Sequence, residues 1–163
     1  MRNFLFLLCT ILILLGTYTG IRGSSASPKE ITLVALGDSI THGVGDPEKK
    51  GYIEGFKAKL EEKQNSPVKG SNFAIPRYTT DNILNQLQDK KINMQIKKAN
   101  YIILYIGTND FRKSANHQFY PLDVKRMNKG KVSFITNLYK ILEHLRLENS
   151  FAPIFVLGLY HPY

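Results

Sequence analysis

Cysteine is almost absent: the chain has one, Cys9, inside an apolar run near the N-terminus. The remainder has no disulfide framework and no thiolate metal site. The four histidines are scattered, with no carboxylate pair at ligand spacing, so no metal centre and no cofactor is expected. Tryptophan, internal repeats and low-complexity tracts are also missing. The glycine-containing turn from Gly37 to Gly45 lacks the Lys-Ser/Thr ending of a phosphate-binding loop. Acidic residues are the scarcer charge, 13 against 22 Lys and Arg, giving a formal +9. The basic excess is dispersed. Its tightest group, Lys125, Arg126, Lys129 and Lys131, has no alternating aromatics on which bases could stack, so nucleic acid is not an expected partner. That group fits a solvated face, or attraction to an anionic lipid or cell-wall surface.

A chain of 163 residues with 43% hydrophobic content fits one folded domain with a sizeable core. Its N-terminus reads as a targeting segment. Arg2 is followed by the apolar run Phe4 to Leu15, then by Ser24-Ser25-Ala26, small residues suited to cleavage after Ala26. An uncleaved anchor is the rival reading, because Phe4 to Ile21 carries no charge and approaches the minimum length of a membrane span. Residues 1–26 are thus assigned to a signal peptide or anchor and residues 27–163 to the folded domain. Either reading puts that domain outside the cell or on the outer membrane face, with membrane association through residues 4–21 in the second case.

Apolar runs at Ile31 to Leu36, Tyr101 to Ile106 and Ile154 to Leu159 predict strands buried on both faces. Val68 to Ala74 is a weaker strand. Helical spacing marks Tyr52 to Lys63, Thr79 to Gln88 and Val132 to Leu147, the last presenting Val132, Ile135, Leu138, Leu142 and Leu145 on one face. Ile92, Met94 and Ile96 alternate and are read as a helix end or loop. The alternating order predicts a doubly wound α/β sheet. Only Tyr160 to Tyr163 follow the last strand, so closing helical cover is expected to be missing.

Open α/β sheets bind ligands beyond the C-terminal ends of their strands. Three polar clusters fall there: Gly37-Asp38-Ser39, Asn72-Phe73-Ala74 and Gly107-Thr108-Asn109-Asp110. Ser39 can be read as a nucleophile or as a cap of the following turn. The Asn109 side-chain amide can donate to a developing oxyanion, or Asn109 and Asp110 can simply begin a loop. Asp38 fits a residue that orients the Ser39 turn.

The stretch from Leu33 to Gly43, containing Gly37-Asp38-Ser39, resembles the first block of the SGNH/GDSL hydrolases. Asn72-Phe73-Ala74 with Thr79-Thr80 resembles the second, and Gly107-Thr108-Asn109-Asp110 the third. Leu157 to Tyr163 is similar to the end of the next strand in bacterial lipase/acylhydrolase members. The resemblance implies a flavodoxin-like three-layer α/β/α sandwich with a mostly parallel sheet, here without its last strand and helix. It implies that Ser39 attacks an ester carbonyl, with oxyanion donors from the Ser39 amide, residue 74 and the Asn109 side chain. Gly37, Asp38, Gly107 and Asp110 would support them. Substrates would be small or lipid esters, or acetyl esters of cell-wall glycans. Two departures stand out. Ala74 replaces the usual glycine, a strain if the site needs a positive φ. The Asp-x-x-His block that supplies the family's base has no counterpart in the sequence. His42, His117, His144 and His161 are not promoted in its place. Phe111, Phe119 and Tyr120, within the presumptive loop Arg112 to Arg126 and beside it, would favour an apolar acyl chain or serve packing.

Overall fold

A computed structural model describes residues 28–48, 50–117 and 120–158. The expected signal or anchor segment, Phe119 and His161 lie outside them. Four strands form one parallel sheet in the order β2-β1-β3-β4: β1 (Ile31–Gly37), β2 (Val68–Asn72), β3 (Tyr101–Tyr105) and β4 (Ile154–Leu157). Leu33 to Leu36 and Ile102 to Leu104 are buried because helices cover both faces of the central strands.

On one face lies α2 (Gly51–Gln64), whose Ile53, Phe56 and Leu60 pack with Leu33, Ala35, Val68 and Ile103. On the other lie α3 (Thr80–Gln86), α4 (Lys90–Lys98) and α6 (Val124–Glu148). Their Ile83, Ile96, Ile141 and Leu145 form a core with Val34, Leu36, Ile102 and Leu104. Each such side chain contributes about 1.5–3 kcal/mol by leaving water. This is the expected three-layer α/β/α sandwich. Its strand order places the topological switch between β1 and β3, where a doubly wound sheet opens a crevice at its C-terminal rim.

Three sequence expectations need correction. The segment around Ile92, Met94 and Ile96 is a helix, α4, not a helix end or loop. Asp89 caps it by accepting the Lys91 amide at 2.7 Å. Ile92 and Ile96 share its buried face while Met94 is 54% exposed, so the apparent alternation was an i, i+4 pair with an outward residue between. The long helix α6 starts eight residues before Val132, after the Asp123 cap. Its inward stripe runs through Phe134, Leu138, Ile141 and Leu145, leaving Val132 65% exposed. Contacts with α3 and α5 (Thr108–Ser114) set that rotation. Consequently, Arg112 to Ser114 and Val124 to Arg126 are helical rather than loop.

Strand β4 pairs with β3 and has no second strand partner among the described residues. Its Phe155 ring stacks on Tyr101 and meets Phe56 edge-on, at centroid distances of 6.2 and 6.0 Å. Phe155, Val156 and Leu157 nevertheless stay partly exposed. Among the described residues no helix is long and apolar enough to cross a membrane.

Candidate active site

Strand β1 ends at Gly37, where a Cβ would lie 2.5 Å from both the Tyr105 carbonyl oxygen and Thr41 Oγ1. Glycine therefore permits the ends of β1 and β3 to meet the short helix α1 (Ser39–His42). Asp38 caps that helix, its Oδ1 accepting the Ile40 N–H at 3.0 Å. The capping role thus falls to Asp38, and Ser39 is left as the first helical residue, half-buried at the rim. Its own N–H has no acceptor within the helix.

Asp38 is wholly buried, and its Oδ2 meets no hydrogen-bond partner of ordinary geometry among the described residues. Burial pushes its carboxyl above the ordinary aspartate value; the Ile40 amide opposes the rise and the Asp110 charge adds to it. Nearby, Thr41 Oγ1 and the Tyr52 hydroxyl share a 2.9 Å hydrogen bond, and burial pushes the Tyr52 phenol upward.

The loop after β2 is fastened to α1 from two sides. Asn72 Nδ2 donates to the Thr41 carbonyl at 2.8 Å, and His42 Nδ1 lies 3.0 Å from the Ala74 carbonyl oxygen. Ala74 does not have a positive φ, so the strain feared for its methyl group does not arise. Its amide, however, is not free as expected: it donates to Asn72 Oδ1 at 3.0 Å. Asparagine binds backbone two residues onward in this way, forming an Asx turn.

The third cluster begins α5 and is not a loop. Gly107 caps it at φ 130, a conformation that L side chains resist. Asn109 Nδ2 donates one proton to the Tyr78 carbonyl at 2.9 Å, leaving the second available. Asp110 accepts the Thr80 N–H at 3.1 Å and also the Thr80 hydroxyl. Burial pushes the Asp110 carboxyl up, while the two Thr80 hydrogen bonds draw it back. From α6, Asn137 Nδ2 reaches Thr80 Oγ1 at 3.2 Å and Asp81 Oδ1 at 2.8 Å. Sequence reasoning missed Asn137. Its signal was a polar residue three places after Phe134 on the inward stripe of α6.

The histidines sort differently. His117 is exposed in the turn after α5, with φ 57. His144 is half-buried, its Nε2 3.1 Å from Asn93 Oδ1. No hydrogen bond joins any of them to Ser39 among the described residues.

Three strand-end clusters, gathered on one rim and carrying these blocks in order, match the GDSL-like Lipase/Acylhydrolase model over residues 35–163. The chain belongs to this family. It is 30% identical over 167 residues to the uncharacterized protein YpmR of Bacillus subtilis (strain 168), an alignment covering 96% of this chain and 66% of YpmR. Over 84 residues it is 38% identical to the spore germination lipase LipC of Bacillus licheniformis, covering 49% of this chain and 38% of LipC. Among solved structures, the lipase Lip_vut3 from a goat rumen metagenome superposes with a TM-score of 0.74 at 29% identity, covering 81% of this chain and 65% of that one. The chain thus spans about two thirds of YpmR and of Lip_vut3. TesA, at 20% identity and a TM-score of 0.57, shares the fold. The GDSL family is one of esterases and lipases, and its chemistry is ester hydrolysis.

Proposed function

We propose that Ser39 is the nucleophile of a carboxylic-ester hydrolase that works outside the cell membrane. The supporting observation is the cap geometry. Asp38 takes the capping role and leaves Ser39 at the sheet rim with its amide unclaimed by α1. Ser39 Oγ would form a bond to the ester carbonyl carbon, the carbonyl oxygen taking the negative charge. The Ser39 N–H and the second Asn109 Nδ2 proton are the donors that fit that charge. The Ala74 amide, held by Asn72, would have to share its proton. Collapse of the intermediate breaks the ester C–O bond and releases the alcohol. Water then attacks the acyl-enzyme and releases the acid.

The Ser39 proton needs a base, and the sequence has no Asp-x-x-His block to provide it. Little turnover is therefore expected from this chain alone. In serine hydrolases stripped of a triad member, donors and binding still retain about 10³–10⁴-fold over water. A binding module that keeps the fold without turnover is the second reading, favoured by the absence of a histidine hydrogen-bonded to Ser39 among the described residues. The outward location rests on the n-region, apolar run and Ser24-Ser25-Ala26 pattern. The test is p-nitrophenyl acetate turnover by the chain and by Ser39→Ala. A Ser39-dependent rate supports the hydrolase; equal rates remove it in favour of the binding module.

A further inference from the structure

We propose that the first turns of α6 and the residues leading into them dock on a bilayer rich in anionic phospholipid. This adds a partner to the hydrolase reading, and the docking does not require Ser39 to be a nucleophile.

The surface combines apolar and basic side chains. Tyr120 is 95% exposed and Val124 67%, with Leu122 between them in sequence and Val132 also outward. Lys125, Lys129 and Val132 stand at i, i+4 and i+7, so they share one outward face of α6. From Arg112 to Lys131 the sequence has six basic residues and one acidic, Asp123, which caps α6 by accepting the Arg126 N–H at 3.0 Å. Among the described residues neither Lys125 nor Lys129 has an ion-pair partner. Single exposed apolar residues are ordinary, but four grouped with cations mark an interaction surface. A soluble polyanion would engage the lysines alone. At a membrane the apolar side chains enter the headgroup boundary, which tyrosine favours, while the lysines meet lipid phosphates.

Its position suits a protein that acts on lipid esters. The helix of a parallel crossover runs opposite to its strands, so α6 begins at the C-terminal rim of the sheet, where Ser39 lies. It has 25 residues and is about 37 Å long, whereas the four-residue β4 spans about 13 Å. The residues that α6 buries in the sheet core, Ile141 and Leu145, belong to its C-terminal half. The excess length therefore projects beyond the rim. There α5 holds it, with Gly130 against Ser114 and no room for a Cβ between them.

The experiment floats the full chain with vesicles of phosphatidylcholine alone, or of equal parts phosphatidylcholine and phosphatidylglycerol. The apolar run Phe4 to Leu15 would bind both alike, so the difference between the two reads the docking surface. Lys125→Ala with Lys129→Ala should weaken binding to the anionic vesicles by about 25-fold, about fivefold for each charge. Lys125→Arg with Lys129→Arg should preserve it. Tyr120→Ser with Val124→Ser should weaken it by about tenfold. Equal binding to both vesicles, or alanine and arginine variants that behave alike, would overturn the proposal. Displacement by soluble poly(glycerol phosphate), with no effect of the serine exchanges, would also overturn it and assign the surface to a wall polymer. Fluorophosphonate labelling of Ser39 in the unsubstituted chain runs in parallel. Labelling without charge-dependent vesicle binding defeats the docking surface and leaves the hydrolase standing. Charge-dependent binding without labelling supports the docking surface and defeats the hydrolase.

Discussion

Replacing Asp110 with alanine should destabilise the protein more than its half-exposed position suggests. The carboxylate accepts the Thr80 N–H at 3.1 Å on each oxygen and takes the Thr80 hydroxyl as well. Thr80 is fully buried, so after the substitution its N–H and O–H have no water to turn to. Asn137 Nδ2 also approaches Thr80 Oγ1, but it is a donor and cannot replace an acceptor. Bonds to a charged acceptor contribute about 1.5–3 kcal/mol each. Against that stands the cost of holding a desolvated carboxylate, visible in its upward pKa shift. The net loss should be about 2–4 kcal/mol, or a Tm lower by about 4–16 °C for a domain of this size. Asp110→Asn, which keeps one acceptor, should lose roughly half as much. Urea unfolding at neutral pH reads both. An Asp110→Ala protein within about 0.5 kcal/mol of the original would refute the claim that this carboxylate locks α5 to α3.

Gly37→Ala sets a methyl 2.5 Å from the Tyr105 carbonyl oxygen and should cost about 1–3 kcal/mol or more, measured by the same unfolding. Asn109→Ala should slow covalent labelling of Ser39 by about 10²–10³-fold, the usual effect of removing one oxyanion donor; a labelling rate within twofold would exclude Asn109 from that role. Asp38 has a folded pKa raised above its unfolded value. Its contribution to stability is therefore fully present below about 3.8 and is lost as pH rises through the folded value. Asp38→Asn removes that titration, so its stability relative to the original chain should increase from acid to neutral pH. Thermal melts at several pH values test this, and an Asp38→Asn protein whose stability falls relative to the original chain as pH rises contradicts it.

The sheet was legible because Leu33 to Leu36 and Ile102 to Leu104 are unbroken apolar runs, as strands covered on both faces must be. Elements with both periods in few residues were not. Ile92, Met94 and Ile96 satisfy i+2 and i+4 together, and only the Asp89 cap, overlooked in the sequence, decides for a helix. The face of α6 was misread because Val132 and Ile135 are apolar yet outward. Packing against α3 and α5, not hydrophobicity alone, turned the helix. At the site, Ser39 and Asn109 were legible as polar residues at strand ends. The lock between Asp110, Thr80 and Asn137 was not, since Thr80 stands 30 positions from Asp110 and 57 from Asn137. The Asn72 hold on the Ala74 amide is local and was readable as an Asx turn; the comparison with a family glycine drew attention to φ instead.

The most direct test of the account is where an electrophile lands. Treatment with a fluorophosphonate, followed by peptide mass spectrometry, should find one adduct, on Ser39, that disappears in Ser39→Ala. An adduct on another serine, or none on folded protein, would contradict the assignment of Ser39 as the nucleophile.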